Sequence, residues 1–352
     1  MQSIQILNVV KIFLPTALTF AIGILLTPTL TNLMYKHKLW KKKKRIDDSQ
    51  ITNEHFKNIS NASAEISTPR VGGIIIWLSV TLSILIMWLI SKAFPSDLST
   101  KLDFLSRGQT LIPLASLLLG SFIGLFDDAA QIRGAVDRIS DRYLKIISIS
   151  AIGALIGAWF YFKLGITSVA IPFAGHLALG WLFIPFFIIV LVAVFSGSVI
   201  DGMDGLAGGV LAIIFASYSA IAYGKNLVDI AALSGVISGG ILAFLWFNIP
   251  PARFYMGETG ILGLLVVLTV IAFLTDTVFI LPLIAFPLVA TTASNIIQIT
   301  SYKYFNKRRV FKIAPLHHHF HDLGWPREKV VMRYWVVSVI CAILGVVVAL
   351  IS

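Results

Sequence analysis

The stretch FSGSVIDGMDGLAGG, residues 195–209, lies between two apolar runs of about twenty residues each. The incoming run starts at Trp181 and the outgoing run at Leu206, so Asp201 and Asp204 separate two segments that suit lipid. A carboxylate costs about 2.5–3.5 kcal/mol at the centre of a bilayer, so we expect both aspartates at a membrane–water boundary. If they open the outgoing helix, their three-residue spacing places both on one face, where a metal or a phosphate could bind. A Gly-rich turn between two membrane helices is the alternative for this stretch alone.

The composition indicates a polytopic membrane protein. Of 352 residues, 57% are hydrophobic and 13% are charged, and the mean hydropathy is +0.88, which the surface of a soluble protein would not tolerate. The net charge of +11 is explained by positive residues that flank membrane spans, so we expect no nucleic-acid partner. The only cysteine, Cys341, lies in the last apolar run, which excludes a disulfide framework and a thiolate metal site. No small-residue cleavage pattern follows Lys11, so we expect an uncleaved first helix.

Ten apolar segments approach the length of about 20 residues that crosses a bilayer. We therefore predict an all-α polytopic membrane protein that forms a single transmembrane domain over residues 1–352. The predicted spans are residues 12–34, 71–93, 109–126, 143–162, 179–199, 204–223, 229–248, 257–274, 277–301 and 331–351. Span nine contains Pro282 and Pro287, which predict a kink, and the interrupted apolar segment 165–177 predicts an extra interfacial piece.

The distribution of positive charge predicts the orientation in the membrane. The connections after the odd-numbered spans, with their juxtamembrane ends, hold 22 of the 28 lysines and arginines. We therefore expect these connections to face the cytoplasm and both termini to lie on the outer, periplasmic side. The five basic residues at 41–45 are the strongest marker, and they also suit contact with anionic headgroups of membrane lipids.

Five acids from separate parts of the sequence fall on the predicted cytoplasmic side. Asp127 and Asp128 end span three, Asp201 and Asp204 lie between spans five and six, and Glu258 opens span eight. Like charges at one depth need a compensating cation, and Mg²⁺ takes carboxylate oxygens while it keeps waters for substrate phosphates. These positions predict a magnesium and phosphate site, with structural pairing of the acids as the alternative.

Histidines and arginines on the same side are candidates for phosphate recognition. His317, His318 and His319 lie in the connection after span nine, and Arg70 and Arg142 lie in two other cytoplasmic connections. Zinc is the competing interpretation of the histidines, but three consecutive side chains rarely share one metal and no HExxH spacing is present. Neither a Walker A sequence nor a Rossmann glycine pattern occurs, so ATP hydrolysis and dinucleotide chemistry lack support.

A lipid phosphate acceptor and a soluble activated phosphate donor would meet at the depth of these acids. That geometry favours a transferase. Two other classes remain open: a membrane transporter, whose site is expected near the midplane on broken helices, and a structural membrane scaffold.

Six motifs along most of the chain resemble a known family. They are TPRVGG at 68–73, GLFDD at 124–128, DGMDGLAGG at 201–209, FLWFN at 244–248, PARFYMGETG at 251–260 and APLHHHF at 314–320. In these residues the chain resembles the polyprenyl-phosphate N-acetylhexosamine-1-phosphate transferases, and most closely the phospho-N-acetylmuramoyl-pentapeptide transferases. The APLHHHF stretch is the most specific, because it separates the muramoyl-peptide branch from relatives that use other nucleotide sugars.

The resemblance implies a reaction and its partners. Undecaprenyl phosphate would attack the β-phosphorus of UDP-N-acetylmuramoyl-pentapeptide, releasing UMP and forming lipid I with Mg²⁺, as a step of peptidoglycan biosynthesis. The resemblance also implies a multi-pass protein of the bacterial inner membrane whose active site faces the cytoplasm. A homodimer is one assembly that it allows.

The resemblance further implies roles for individual residues. Catalytic roles fall on Asp127, as the proposed base, Asp128 and Glu258, and the metal would be held by Glu258 with Asp128 or Asp201. The resemblance implies substrate-binding roles at these positions: Asp201 and Asp204 in the nucleotide site, Asn248 and Tyr255 in the uridine pocket, and His317, His318 and His319 in a substrate-contacting loop.

Several positions depart from the family pattern. Glu258 stands where the family normally has aspartate, and Ser198 stands where asparagine is expected. A lysine expected near Glu65 is missing, and Arg70 is a nearby positive charge that could replace it. TPRVGG is also slightly more similar to the N-acetylglucosamine branch, so a transferase that uses UDP-N-acetylglucosamine is the alternative function.

Overall fold

A computed structural model describes residues 2–40, 67–96, 99, 103, 108–134 and 138–352, and for residues 2–5, 108, 109 and 138–142 it describes the backbone only. The basic run at 41–45 and Glu65 lie outside the described residues.

The described part of the chain contains twelve α-helices and one β-hairpin. The helices are α1 (Gln2–Lys36), α2 (Ile74–Ala93), α3 (Gly108–Arg133), α4 (Arg138–Lys163), α5 (Phe183–Phe195), α6 (Leu206–Gly224), α7 (Val228–Asn248), α8 (Gly257–Leu274), α9 (Leu281–Ile284), α10 (Phe286–Tyr304), α11 (Leu316–Asp322) and α12 (Arg327–Ile351). Short 3-10 helices at Gly180–Leu182 and Ser196–Ile200 flank α5. The strands are β1 (Ser168–Ile171) and β2 (Gly175–Ala178).

Nine helical segments in the described ranges are long and apolar enough to cross a membrane, namely α1 to α4, α5 together with its two flanking 3-10 helices, α6 to α8 and α12. They confirm the predicted all-α polytopic fold and nine of the ten predicted spans. The remaining prediction, residues 277–301, is divided into the short α9 and the longer α10. Pro282 and Pro287 stand in the first turn of each piece, where a missing N–H is tolerated, so the expected kink is confirmed as a break at Ala285.

Helix boundaries near the acids differ from the prediction. Helix α3 continues to Arg133, so Asp127 and Asp128 lie inside a helix rather than at its end. Helix α6 begins only at Leu206, after Gly205 has reversed the chain with φ +77°. Asp201 and Asp204 therefore lie in the turn before α6, and the expectation that they share one helix face is wrong.

The interrupted segment 165–177 forms most of an antiparallel hairpin. Ser168 pairs with Ala178 and Ile171 with Gly175. The turn between the strands carries Phe173, which has φ +61° and an exposed side chain.

Helices α6, α7 and α8 are the most enclosed of the membrane-length helices in the described part of the chain. Within an 18-residue apolar segment of each helix, 72% of the residues are buried in α6, 83% in α7 and 89% in α8. The corresponding share is 28% in α1, in α12 and in the span that contains α5. The outer helices pack against this centre, with α1 on α7, α3 on α8 and α12 on α6. A buried ion pair between Lys11 and Asp229 joins α1 to the start of α7.

Helix α3 approaches α8 at a glycine. A Cβ at Gly124 would overlap the backbone carbonyl of Glu258. Because the absent side chain lets the two backbones touch, the next turn of α3 brings Asp127 and Asp128 against the N-terminal end of α8.

Candidate active site

Asp128 forms the buried base of the candidate site. Its side chain is fully buried, and Oδ2 accepts hydrogen bonds from the Thr259 backbone N–H at 2.9 Å and the Thr259 hydroxyl at 2.7 Å. The other oxygen, Oδ1, is buried and has no hydrogen-bond partner. A buried carboxylate oxygen without a donor is costly, which marks this atom as a candidate ligand for a cation.

Lys145 lies between two of the acids. Its ammonium nitrogen is 2.9 Å from Asp127 Oδ2 and 2.9 Å from Glu258 Oε1. Gln131 donates a second hydrogen bond, of 2.7 Å, to Asp127 Oδ2. Glu258 Oε2 is buried without a hydrogen-bond partner, so α3 and α8 each present one carboxylate oxygen that the described residues leave unsatisfied.

Asp201 joins the same group from the turn before α6. The pKa of the Asp201 carboxyl is raised to about 7, and burial is the largest cause. The negative charges of Glu258 and Asp128 also raise this pKa, whereas the positive charge of Arg70 and a hydrogen bond from the Gly257 backbone lower it. Arg70 has a buried Nε without a hydrogen-bond partner. Arg70 thus lies near Asp201 and supplies the positive charge expected from the sequence.

Gly257 fits closely among these groups. It has φ +65°, and a Cβ there would overlap the Arg70 carbonyl oxygen and Asp128 Oδ2. Only glycine combines this left-handed conformation with so close an approach, so it fixes the distance between the start of α8 and its acidic neighbours.

Asp204 and Asn248 stabilise the adjacent loop. Asp204 accepts a hydrogen bond of 3.1 Å from the Ala252 backbone, and burial raises the pKa of its carboxyl. Asn248 accepts from the Gly205 N–H at 2.9 Å and donates to the Phe254 carbonyl at 2.8 Å. Both side chains therefore hold the 201–205 turn against residues 251–256, and neither belongs to the group around Asp128.

The main chain of Tyr255 holds the TPRVGG segment. Its N–H donates to the Pro69 carbonyl at 2.8 Å, and its carbonyl accepts from the Gly72 N–H at 2.9 Å. These bonds tie residues 69–72, which carry Arg70, to the loop that precedes α8.

The first histidines of the cluster reach the Asp201 turn. His317 is fully buried with neither ring nitrogen hydrogen-bonded, and a Cβ at Gly202 would overlap its Nε2. Burial, and then the neighbouring His318, lower the pKa of His317, which is therefore neutral at pH 7. The ring centroids of His317 and His318 lie 4.3 Å apart.

His319 and Arg142 are not placed with this group. His319 Nδ1 accepts a hydrogen bond of 3.3 Å from the Lys312 backbone, and its ring contacts Phe311. Arg142 is on α4, but its side chain lies outside the described residues.

The arrangement fits Mg²⁺ better than an all-protein metal cage. Across the described ranges, no group of three or more His, Cys, Asp or Glu side chains is close enough to hold a metal by itself. Mg²⁺ commonly binds through one or two carboxylates, with waters and substrate phosphates completing its shell. The two unsatisfied oxygens, Asp128 Oδ1 and Glu258 Oε2, match that requirement.

Three contributors to the site were missed from the sequence. In the sequence, Lys145 is one of the juxtamembrane positive charges that predict orientation. Its position on the third turn of α4 gives no pattern that links it to Asp127 or Glu258. Thr259 and Gly257 flank Glu258 within PARFYMGETG, so a helix start beside a candidate metal ligand was the only available signal.

Comparison with known proteins identifies the family. A model described as Glycosyl transferase family 4 matches residues 110–276. The phospho-N-acetylmuramoyl-pentapeptide-transferase of Acetivibrio thermocellus is 32% identical over 337 residues, which cover 93% of this chain and 92% of the relative. The chain belongs to the phospho-N-acetylmuramoyl-pentapeptide-transferase family. Relatives of the same name from Clostridium beijerinckii and Bacillus subtilis are each 30% identical, and cover 98% and 93% of this chain and 99% and 94% of their own lengths.

Membership of the phospho-N-acetylmuramoyl-pentapeptide-transferase family confirms the resemblance stated above. The chain is therefore a multi-pass membrane protein and a phospho-sugar transferase of peptidoglycan synthesis. The region matched by the family 4 model includes all five acids predicted from the sequence, and also Lys145. Arg70 and the histidines lie outside that region but inside the longer alignments, which span nearly the whole chain.

Proposed function

We propose that the chain transfers phospho-N-acetylmuramoyl-pentapeptide from its UDP-linked donor to undecaprenyl phosphate, giving lipid I and UMP. The observation that supports this most is the meeting of Asp128, Asp201 and Glu258, from three separate parts of the sequence, at one end of the bundle beside Arg70. Relatives of nearly the same length carry the name of this activity.

The acceptor needs little help from a general base. A phosphate monoester has a second pKa near 6, so undecaprenyl phosphate is mostly a dianion at neutral pH. One of its oxygens attacks the β-phosphorus of the donor, a new P–O bond forms, and the bond to UMP breaks with its electron pair leaving on UMP. Asp127, held by Gln131 and Lys145, would orient the acceptor or take a residual proton.

Electrostatic stabilisation then carries most of the catalysis, as in phosphoryl transfer generally. Mg²⁺, held by Glu258 and Asp128 with Asp201 nearby, would neutralise the charge of the donor diphosphate when bound. Arg70 would donate hydrogen bonds to phosphate oxygens, because its buried Nε has no other partner. Buried and neutral, His317 would contact the donor beside Gly202 without adding charge.

We place this site at the cytoplasmic face of a bacterial inner membrane. The positive charge of the odd-numbered connections supports this orientation, since the acids lie in or close to those connections along the sequence. A water-soluble nucleotide donor would then reach the site from the cytoplasm, while the lipid acceptor would approach between helices.

A UMP-release assay with purified protein and undecaprenyl phosphate tests the proposal. We expect Mg²⁺-dependent UMP release with UDP-N-acetylmuramoyl-pentapeptide, and its loss in Asp128→Asn protein that still folds. Absence of UMP release with any UDP-sugar would contradict the transferase assignment.

UDP-N-acetylglucosamine is the second candidate donor. It is favoured by one specific observation: the TPRVGG segment, which is slightly more similar to that branch, places Arg70 beside Asp201 and Asp128. The same assay separates the two, because turnover of only UDP-N-acetylglucosamine would move the chain to the sister branch.

A further inference from the structure

One ammonium group connects three helices at the site. Lys145 extends from α4, and its Nζ lies 2.9 Å from Asp127 on α3 and 2.9 Å from Glu258 on α8. Its side chain is only 16% exposed, so water screens these contacts weakly. Surface ion pairs contribute little, but a half-buried pair that joins separate helices fixes their side chains in place.

The length of Glu258 suits this contact. An aspartate at the same backbone position would be shorter by one C–C bond, about 1.5 Å. Its nearest oxygen would then stand well beyond hydrogen-bond distance from Lys145, since the present separation is 2.9 Å. Because Oε1 is committed to Lys145, the buried oxygen that Glu258 retains for a cation is Oε2.

Lys145 therefore has two opposed effects on a divalent cation. It holds Glu258 in one orientation, and it also brings a positive charge to the oxygens that the cation needs. Four acids, Asp127, Asp128, Asp201 and Glu258, gather here, and a lysine among them neutralises charge that would otherwise attract metal.

We propose that Lys145 is a positioning residue that competes with the divalent cation for Glu258. It keeps the acids compensated before metal and donor arrive, and it limits Glu258 to one metal-facing oxygen. The inference rests on the proposed function for its biological meaning, but its central claim concerns metal affinity in the absence of substrate.

Manganese(II) alone, as a spectroscopic substitute for Mg²⁺, provides the test. Free Mn²⁺ is followed by electron paramagnetic resonance during titration of the full-length protein in detergent. We expect Lys145→Met to bind Mn²⁺ about fivefold more tightly than the unmodified chain, because the substitution removes a repulsion of about 1 kcal/mol between the lysine and the cation. UMP release by the same variant should fall at least tenfold, because Asp127 and Glu258 lose their fixed orientation. Unchanged or weaker Mn²⁺ binding by folded Lys145→Met protein would overturn the proposal.

Lys163→Met is the matched control. Lys163 is on the same helix at its opposite end and is exposed, so its removal should leave Mn²⁺ affinity unchanged. If Lys145→Met does not fold, Lys145→Gln removes the same charge and keeps a hydrogen-bond donor, with the same expected rise in affinity.

A second background separates competition for Glu258 from a general effect of charge. In Glu258→Asp protein the contact with Lys145 is out of reach, so we expect Lys145→Met to raise Mn²⁺ affinity by less than half as much as in the unmodified chain. An equal rise in both backgrounds would show a general effect of charge and would refute the competition for Glu258. Loss of UMP release from the unmodified chain would instead contradict the proposed function and leave the Mn²⁺ titrations to decide this inference.

Discussion

At the scale of single residues, Thr259 determines how Asp128 is presented. Its backbone N–H and its hydroxyl both donate to Oδ2, so Oδ1 is the oxygen that remains for another partner. Hydrogen bonds to charged groups contribute about 1.5–3 kcal/mol, enough to keep the carboxylate in one orientation.

Thr259→Val should lower kcat of UMP release about tenfold. The variant loses the hydroxyl hydrogen bond that orients Asp128, and a loss of about 1.4 kcal/mol corresponds to that factor. Thr259→Ser keeps the hydroxyl and should retain most of the activity. Steady-state kinetics of both variants with the same donor provide the comparison. Equal losses in the two variants would show that the hydroxyl does not matter.

Gly257 and Gly134 form a pair that separates backbone conformation from packing. Both have positive φ, +65° and +70°, but a Cβ at Gly134 meets nothing within 4 Å. Gly134→Ala should cost about 1–2 kcal/mol of unfolding free energy from its conformation alone. Gly257→Ala should cost about 1–3 kcal/mol more, because its Cβ overlaps Arg70 and Asp128. Thermal unfolding in detergent measures both, and similar losses would contradict the close fit described for Gly257.

The acids and Arg70 could be predicted from the sequence, since each stands at the end of an apolar run and positive charge fixes the side of the membrane. Which of these acids lie in the group around Asp128, and which lie in the adjacent loop, could not be predicted. Asp201 and Asp204 look equivalent in the sequence, but within the 201–205 turn Asp201 lies beside Gly257 and Asp204 lies beside Ala252. Lys145 and Glu258 are 113 positions apart, and no local pattern records a contact at that distance along the chain.

At the scale of helices, the pattern predicted the existence of the spans better than their ends. Apolar residues define where a helix is buried in lipid, but α3 continues past that region to Arg133 as an ordinary polar helix. The division between α9 and α10 followed from Pro282 and Pro287, whose effect on a helix is local and therefore readable from the sequence.

The pair of Lys11 and Asp229 joins α1 to α7 at the helix end opposite Asn248, about 28 Å away by the helical rise. Lys11→Met should lower the free energy of unfolding by about 3–5 kcal/mol, because it leaves a buried carboxylate uncompensated. The double variant Lys11→Met with Asp229→Leu should recover most of that loss.

Thermal unfolding of the two single variants and the double variant measures the coupling. Lys36→Met, at the exposed end of the same helix, is the control and should change stability little. A double variant no more stable than Lys11→Met would show that the two side chains do not act as a pair.

At the scale of the whole molecule, the orientation is the prediction that governs substrate access. Replacing Cys341 by serine gives a background without cysteine, in which Phe173→Cys and Arg308→Cys place single thiols at exposed positions. In intact spheroplasts we expect a membrane-impermeant maleimide to label Phe173→Cys, in the hairpin. Arg308→Cys, in the connection after α10, should react only after permeabilisation. The reverse pattern would invert the orientation and put the acids on the outer side.

The enclosure of α8 has a consequence for how bilayer thickness affects the enzyme. With 89% of its apolar window covered by protein, this helix meets almost no acyl chains. A thicker or thinner lipid environment can tilt the peripheral helices α1, α5 and α12, but its hydrophobic mismatch does not act on the segment that bears Glu258. Lipid composition would then change how readily the polyprenyl tail reaches the site, and would leave the position of the Glu258 side chain unchanged.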